Sequence, residues 1–165
     1  MKRLISICGS DGDDEKLGSY ALEVAEEIGR LVAIRGGVIV CGGYDGVMKA
    51  VCRGAKQENG ITIGILPFEK DDANEFIDIA IPARLGNIRN YLVSGTGDVT
   101  IAIGGRWGTL NEIAYRMVID KPLILVKGTG GCVDEIVNGN LMQDVESHFF
   151  IANSAKEAVD MAFEF

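Results

Sequence analysis

Proline is scarce in this sequence, three residues in 165, and histidine and tryptophan occur once each. The four cysteines (Cys8, Cys41, Cys52 and Cys132) show no C-x-x-C spacing. A lone histidine and scattered thiols do not make a zinc-type ligand set, so no metal site is expected. A disulfide framework is not expected either, because a chain of this length builds a core that needs no stapling. The thiols read as plain buried groups, with a ligand-facing role for Cys8 and Cys41 as the alternative. No apolar run approaches the roughly 18 residues of a membrane span. The apolar start over 4–8 is too short for a secretory signal and runs straight into Gly9 and Ser10. Basic runs are missing too, and 24 acidic against 16 basic side chains give a net charge of −8. Such a surface disfavours nucleic acid and anionic membranes as partners. The expectation is a cytoplasmic protein with neither kind of partner.

Glycine, by contrast, is abundant at 22 residues, about twice the usual share. The glycines cluster after short apolar runs, which marks turns and close backbone approaches rather than a low-complexity tract. With 47% hydrophobic residues, the whole of 1–165 reads as one domain. Apolar runs at 4–8, 38–41, 61–66, 77–81, 99–103, 122–126 and 149–151 alternate with helix-period segments. The first predicted helix, 15–34, places Leu17, Tyr20, Val24, Ile28 and Val32 on one stripe and Glu23, Glu27 and Arg30 opposite. Further helices are expected around 47–55, 86–96, 109–119, 134–137 and 154–163, with a polar loop at 69–75. Strands apolar on both faces, set between helices, predict a single Rossmann-like α/β domain. Its sheet is doubly wound and mostly parallel, with helices on both faces.

Ligands of such sheets lie at the carboxyl ends of the strands, near the point where the strand order reverses. Three strand-end loops here are rich in glycine. The first is Gly9 and Ser10. The second runs from Gly42 and Gly43 through Gly46 to Met48. The third is Gly104, Gly105, Arg106, Trp107, Gly108 and Thr109. Glycine admits a phosphate close to the backbone, and the unpaired first N–H groups of the following helix carry partial positive charge. Thr109 can cap its helix or donate its hydroxyl to a phosphate oxygen. Neither G-x-G-x-x-G nor G-x-x-x-x-G-K-[ST] is present, which argues against dinucleotide redox chemistry and nucleoside triphosphate hydrolysis. The expected partner is a small phosphorylated ligand.

Glu112, three residues past Thr109, is the candidate catalytic carboxylate. A helical wheel puts Leu110, Ile113, Ala114 and Met117 toward the sheet and Glu112 nearly opposite, near Tyr115, Arg116 and Ile119. A solvated side chain near a helix N-terminus is the competing reading. Tyr115 and Ile119 on that outer face predict a covering second subunit, in a homodimer or homotetramer. Arg89 lies off the stripe of Ile88, Tyr91 and Leu92 and can reach the cleft to hold a phosphate or carboxylate bidentately. It and Arg106 carry the same two readings, site or surface. His148 has no evident partner.

These features come in the order G-G-x-x-G-V-M over 42–48, an arginine at 89, and G-G-x-x-G-T-x-x-E over 104–112. That order resembles the LOG-type superfamily, whose members have also carried a lysine decarboxylase label. Over nearly its whole length the chain looks most like a compact Rossmann-fold subgroup similar to molybdenum-cofactor carrier proteins. LOG enzymes hydrolyse the N-glycosidic bond of nucleoside 5′-monophosphates, releasing the base. The resemblance implies that Gly105, Gly108 and Thr109 hold the phosphate and that Arg89 positions the substrate. Glu112 would stabilise oxocarbenium-like charge or orient water, which suits a transition state that is positive on the sugar.

The sequence departs from the enzyme pattern at three places. Ile103 stands for the proline of P-G-G-x-G-T-x-E-E, Asn111 for its first glutamate, and Asn90 for the lysine of an R-K pair. One carboxylate and one cation are missing while the glycines are kept, which favours binding over hydrolysis. The expectation is a carrier or sensor of a phosphorylated nucleotide or pterin-type cofactor that needs no cofactor of its own. Nucleotide, phosphate or molybdenum cofactor would be its ligand. The alternatives are a nucleoside 5′-monophosphate phosphoribohydrolase and an assembly module whose glycines serve turns only. Nothing indicates a pyridoxal-phosphate site, so lysine decarboxylation is set aside.

Overall fold

The computed structural model describes residues 1–139, 141 and 148–165. Among them the strands are β1 (Leu4–Gly9), β2 (Val38–Cys41), β3 (Ile61–Leu66), β4 (Ile79–Pro82), β5 (Val99–Ile103), β6 (Leu123–Val126) and β7 (Phe150–Ala152). The helices are α1 (Ser19–Ile34), α2 (Val47–Gln57), α3 (Asn90–Thr96), α4 (Trp107–Val118), α5 (Gly131–Val137) and α6 (Ala155–Glu164). The strands form a sheet in the order β4-β3-β2-β1-β5-β6-β7, with every neighbouring pair parallel. This is the Rossmann-like α/β architecture that the alternating pattern predicts, parallel throughout.

Each strand alternates its side chains between two helical layers, which is why the runs are apolar on both faces. Ile5, Ile7, Ile101 and Ile103 pack under α1, α2 and α6. Cys8, Val40, Ala102 and Leu125 face α3, α4 and α5. On the first layer, α1 and α2 touch backbone to backbone. A Cβ on Gly29 would fall 1.9 Å from the Val51 carbonyl oxygen, and one on Gly54 1.8 Å from that of Glu26.

Several boundaries differ from the pattern-based expectation. The helix expected over 15–34 starts at Ser19, because Asp14 folds the preceding residues into a turn. Its carbonyl accepts the Leu17 N–H at 2.9 Å and its carboxylate the Lys16 N–H at 3.1 Å. Leu17 thus precedes the helix, and Tyr20 is exposed. The segment 86–96 divides into a 3-10 turn over Gly86–Arg89 and then α3. That change of period rotates Ile88 out to solvent and buries Arg89 and Asn90 instead. The loop at 69–75 contains a short 3-10 turn, Lys70–Asp72. The strand expected at 77–81 is β4. No helix among the described residues is long and apolar enough to cross a membrane.

Candidate functional site

The strand order reverses between β1 and β5, and the pairing of Gly9 with Ile103 brings the loops after them side by side. Gly104 and Gly105 adopt φ of +60° and +94°, a region that glycine enters without strain. The Ser10 hydroxyl accepts the Gly105 N–H at 2.8 Å, and the Thr129 hydroxyl accepts the Gly104 N–H at 2.9 Å. A Cβ on Gly105 would fall 2.3 Å from the Thr109 hydroxyl oxygen. These two glycines, expected to face a phosphate, therefore shape the turn and give their amides to protein acceptors. The amides left for a ligand are those of the first turn of α4. That helix opens at Trp107, with Arg106 as its N-cap and no side-chain cap. Thr109 sits in the first turn rather than at the cap.

Arg106, Trp107, Gly108 and Thr109 border a cavity of about 680 Å³, closed on the other sides by Gly9, Ser10, Gly42, Met48 and Arg89. Gly43 and Gly46 do not border it. Gly46 lies against the Ser10 carbonyl and Gly43 against Leu66, so both hold the second loop in shape. Arg106 leans away, ion-paired to Asp13 with Asp14 nearby. Trp107 stands at the rim, 84% exposed.

Arg89 and Glu112 meet at the cavity floor, 8% and 6% exposed. Arg89 Nη1 lies 3.8 Å from Glu112 Oε1, an ion pair beyond hydrogen-bond reach. The guanidinium passes 5.8 Å from the Tyr44 ring centre. It rests so closely over Gly42 that a Cβ there would fall 2.5 Å from Nη1. Its Nε is buried with no hydrogen-bond partner. Burial pushes the Glu112 carboxyl up to about 7, with Arg89 pulling the other way. Cys8, at the end of β1, borders the same floor, and burial together with Glu112 holds its thiol protonated.

The raised Glu112 has a consequence for stability. A carboxyl with a raised pKa binds protons more readily in the native than in the unfolded chain. Its contribution is therefore most favourable below the ordinary value of 4.5. Stability declines as pH rises from there to about 7, by about 3 kcal/mol in all. Glu112→Gln is expected to flatten this decline. Melting temperatures taken from about pH 4 to about pH 8 check it, and an unchanged slope in the variant would assign the titration to another group.

Glu112 is buried because α4 is covered on two sides. Ile113 packs with the sheet and α5, while the face of Thr109, Glu112 and Arg116 turns toward α3. The Ser94 hydroxyl donates to the Glu112 carbonyl at 2.9 Å. Arg116, expected on the outer face, has no exposed surface. It donates to the carbonyls of Ser94 and Gly97 at 2.9 Å, Asp98 at 2.6 Å and Pro122 at 3.2 Å. Ala114, expected against the sheet, is exposed instead. The wheel went astray because it allows a helix one buried face only.

Tyr44, Asn90, Tyr91, Asn111 and Tyr115 also border the cavity and were not picked out as site residues. Tyr91 and Tyr115 stack with ring centres 4.0 Å apart. Asn90 Nδ2 lies 3.4 Å from Asn111 Oδ1. The two asparagines at the positions where the LOG-type pattern has a lysine and a glutamate are thus neighbours.

The model of the SLOG cluster4 family matches residues 2–159 of the chain. The chain belongs to the SLOG cluster4 family. The resemblance to LOG-type and molybdenum-cofactor carrier proteins drawn from the motifs is borne out alongside this. A structural-genomics target, TM1055, superposes on this SLOG cluster4 chain with a TM-score of 0.89 at 30% identity, covering 100% of both chains. The molybdenum cofactor binding protein of Rippkaea orientalis gives 0.86 at 32% identity, over 99% of this chain and 97% of its own. The cytokinin riboside 5′-monophosphate phosphoribohydrolase of Mycobacterium tuberculosis is 30% identical over 119 residues, 66% of this chain and 64% of the enzyme.

Proposed function

We propose that this SLOG cluster4 protein is a carrier or sensor of a small phosphorylated ligand, held in the cavity over Arg89 and Glu112. The ligand class is a nucleotide or a pterin-type cofactor, including the molybdenum cofactor as cargo. The observation that carries this reading is Arg89: a buried guanidinium with an unpartnered Nε, facing the cavity beside the uncapped first turn of α4. A buried donor without an acceptor is costly, and a phosphate would supply the acceptor in bidentate form. Similarity to the Rippkaea orientalis protein supports the pterin side of this class. The four buried, free thiols accord with a reducing, cytoplasmic setting.

A second reading, hydrolysis of the N-glycosidic bond of nucleoside 5′-monophosphates, is favoured by the Arg89–Glu112 pair and by similarity to the mycobacterial enzyme. Calorimetry and thermal shift with AMP, the other nucleoside monophosphates and phosphorylated pterins separate the two, with chromatography for free base. The expected result is binding without base release. Base release that Glu112→Gln abolishes would move the assignment to the hydrolase. Silence toward every ligand would sink both.

The assembly expectation shifts to different residues. Tyr115 packs against Tyr91 within the chain, and the exposed stripe of α4 carries Trp107, Asn111, Ala114 and Val118, the last 81% exposed. Ile88 and Tyr91 extend it onto the adjoining turn and α3. Exposed apolar residues grouped in this way mark an interaction surface, and a second copy is the proposed cover. Light scattering is expected to give a dimer or tetramer for the wild type and a monomer for the double variant Ile88→Asp with Val118→Asp. A monomeric wild type would refute this.

A further inference from the structure

The Arg89–Glu112 pair is an unusual resting state for two buried charges. At 3.8 Å it is closed enough to compensate charge and too open for a hydrogen bond. The guanidinium keeps Nε unpartnered. An incoming phosphate is the better partner, since it accepts two parallel N–H bonds. Once Arg89 turns to that anion, Glu112 has lost its compensating charge and gained a negative neighbour in a site shielded from water. Two like charges that close cannot both remain ionised. Resting on the proposed phosphorylated ligand, we propose that capture of the anion takes up one proton from solvent onto Glu112. The loaded site then holds a neutral carboxyl beside the Arg89–phosphate pair.

Beyond Arg89, the compensation that reaches the Glu112 carboxylate is a thiol hydrogen bond from Cys8, which carries no charge. Facing Glu112 are Arg89 from the turn before α3, Cys8 from β1, Cys41 from β2, Cys132 from α5 and Arg116 from its own helix. Burial keeps the thiols of Cys8 and Cys132 protonated. Cys41 is paired sulfur to sulfur with Cys52 at 3.7 Å. Arg116 is bound to four carbonyls. Glu112 is also poised for the change, because burial already places its free-state titration near 7. A protonated Glu112 no longer offers negative charge to a sugar that is losing its base. Loading therefore disarms the carboxylate beside Arg89 on the cavity floor, leaving Asp11 as the other carboxylate on the lining, and the cargo is held intact.

The sign follows from linkage. The bound state has the higher Glu112 pKa, so affinity is full below about 7. It falls by up to tenfold per pH unit above that value until the bound-state pKa is reached. The test is calorimetry with AMP and with inorganic phosphate at about pH 8 in two buffers of unequal ionisation enthalpy, for wild type and Glu112→Gln. The free ligands' titration is common to both proteins, and infrared spectra tell a proton on Glu112 from one on the bound phosphate. The wild type is expected to take up a large fraction of one proton more than the variant. Infrared difference spectra of the wild type should gain the carbonyl band of a protonated carboxyl on loading. Binding with equal proton counts and no such band overturns the proton coupling and leaves the phosphorylated-ligand reading standing. No binding of either probe at any pH from about 6 to about 8.5 overturns both.

Discussion

Arg89→Met is expected to lower affinity for AMP by at least about hundredfold while leaving the melting temperature unchanged or higher. The loss follows from two charge-assisted hydrogen bonds to phosphate at about 1.5–3 kcal/mol each. The stability side is the more telling half. In the free protein Arg89 is 8% exposed, its Nε has no acceptor among the described residues, and its ion pair with Glu112 is 3.8 Å long. Methionine fills a similar volume along the same path over Gly42 and against Tyr44 without a charge to bury. Glu112, left alone, answers by staying protonated at neutral pH, since burial already favours that form. Calorimetry and thermal melts on the same preparation check both halves. Wild-type affinity in the variant, or a melting temperature several degrees lower, would show that Arg89 is a structural arginine.

The second large effect concerns α1 and α2. In an ordinary exposed helix, replacing glycine by alanine stabilises by about 1 kcal/mol. At Gly54 the sign is expected to reverse. The added methyl carbon would fall 1.8 Å from the Glu26 carbonyl oxygen, and Gly29 faces the Val51 carbonyl in the same way at 1.9 Å. These are backbone atoms inside a helix ladder, so neither can swing aside as a side chain would. The helices must separate, which opens the packing around Ala25, Ile28 and Val51, all fully buried. Overpacking of this kind costs about 1–3 kcal/mol and occasionally more. Gly54→Ala and Gly29→Ala are each expected at or above the upper end of that range by urea unfolding. A neutral result for either would mean that the helices do not cross so closely.

The sheet was legible in the sequence because its signal is local. Runs such as 38–41 and 99–103 are apolar on both faces, and only a strand covered twice needs that. The glycine loops, Arg89 and Glu112 stood out as candidates for a similar reason, since their types and spacing lie within short stretches. The surroundings of those residues were not legible. Glu112 and Arg116 read as outward because a helical wheel knows one partner, the sheet, while α3 comes from elsewhere in the chain. Arg116 is buried by carbonyls drawn from three segments, Ser94, Gly97 with Asp98, and Pro122. Ile88 read as part of one helical stripe with Tyr91 and Leu92 because the change from 3-10 turn to helix at Asn90 leaves no mark in the residue pattern. The contact between Asn90 and Asn111 joins positions on two helices, and only the fold brings them together.

The Gly104 and Gly105 amides are already bonded to Thr129 and Ser10. A loop whose amides waited for the ligand would have to be ordered by it, at the expense of rate and of part of the affinity. Here the turn is finished before anything arrives. Association of the proposed ligand is therefore expected to be set by diffusion to the mouth rather than by rearrangement of the backbone. In stopped-flow mixing, the observed rate should climb linearly with ligand concentration and show no plateau.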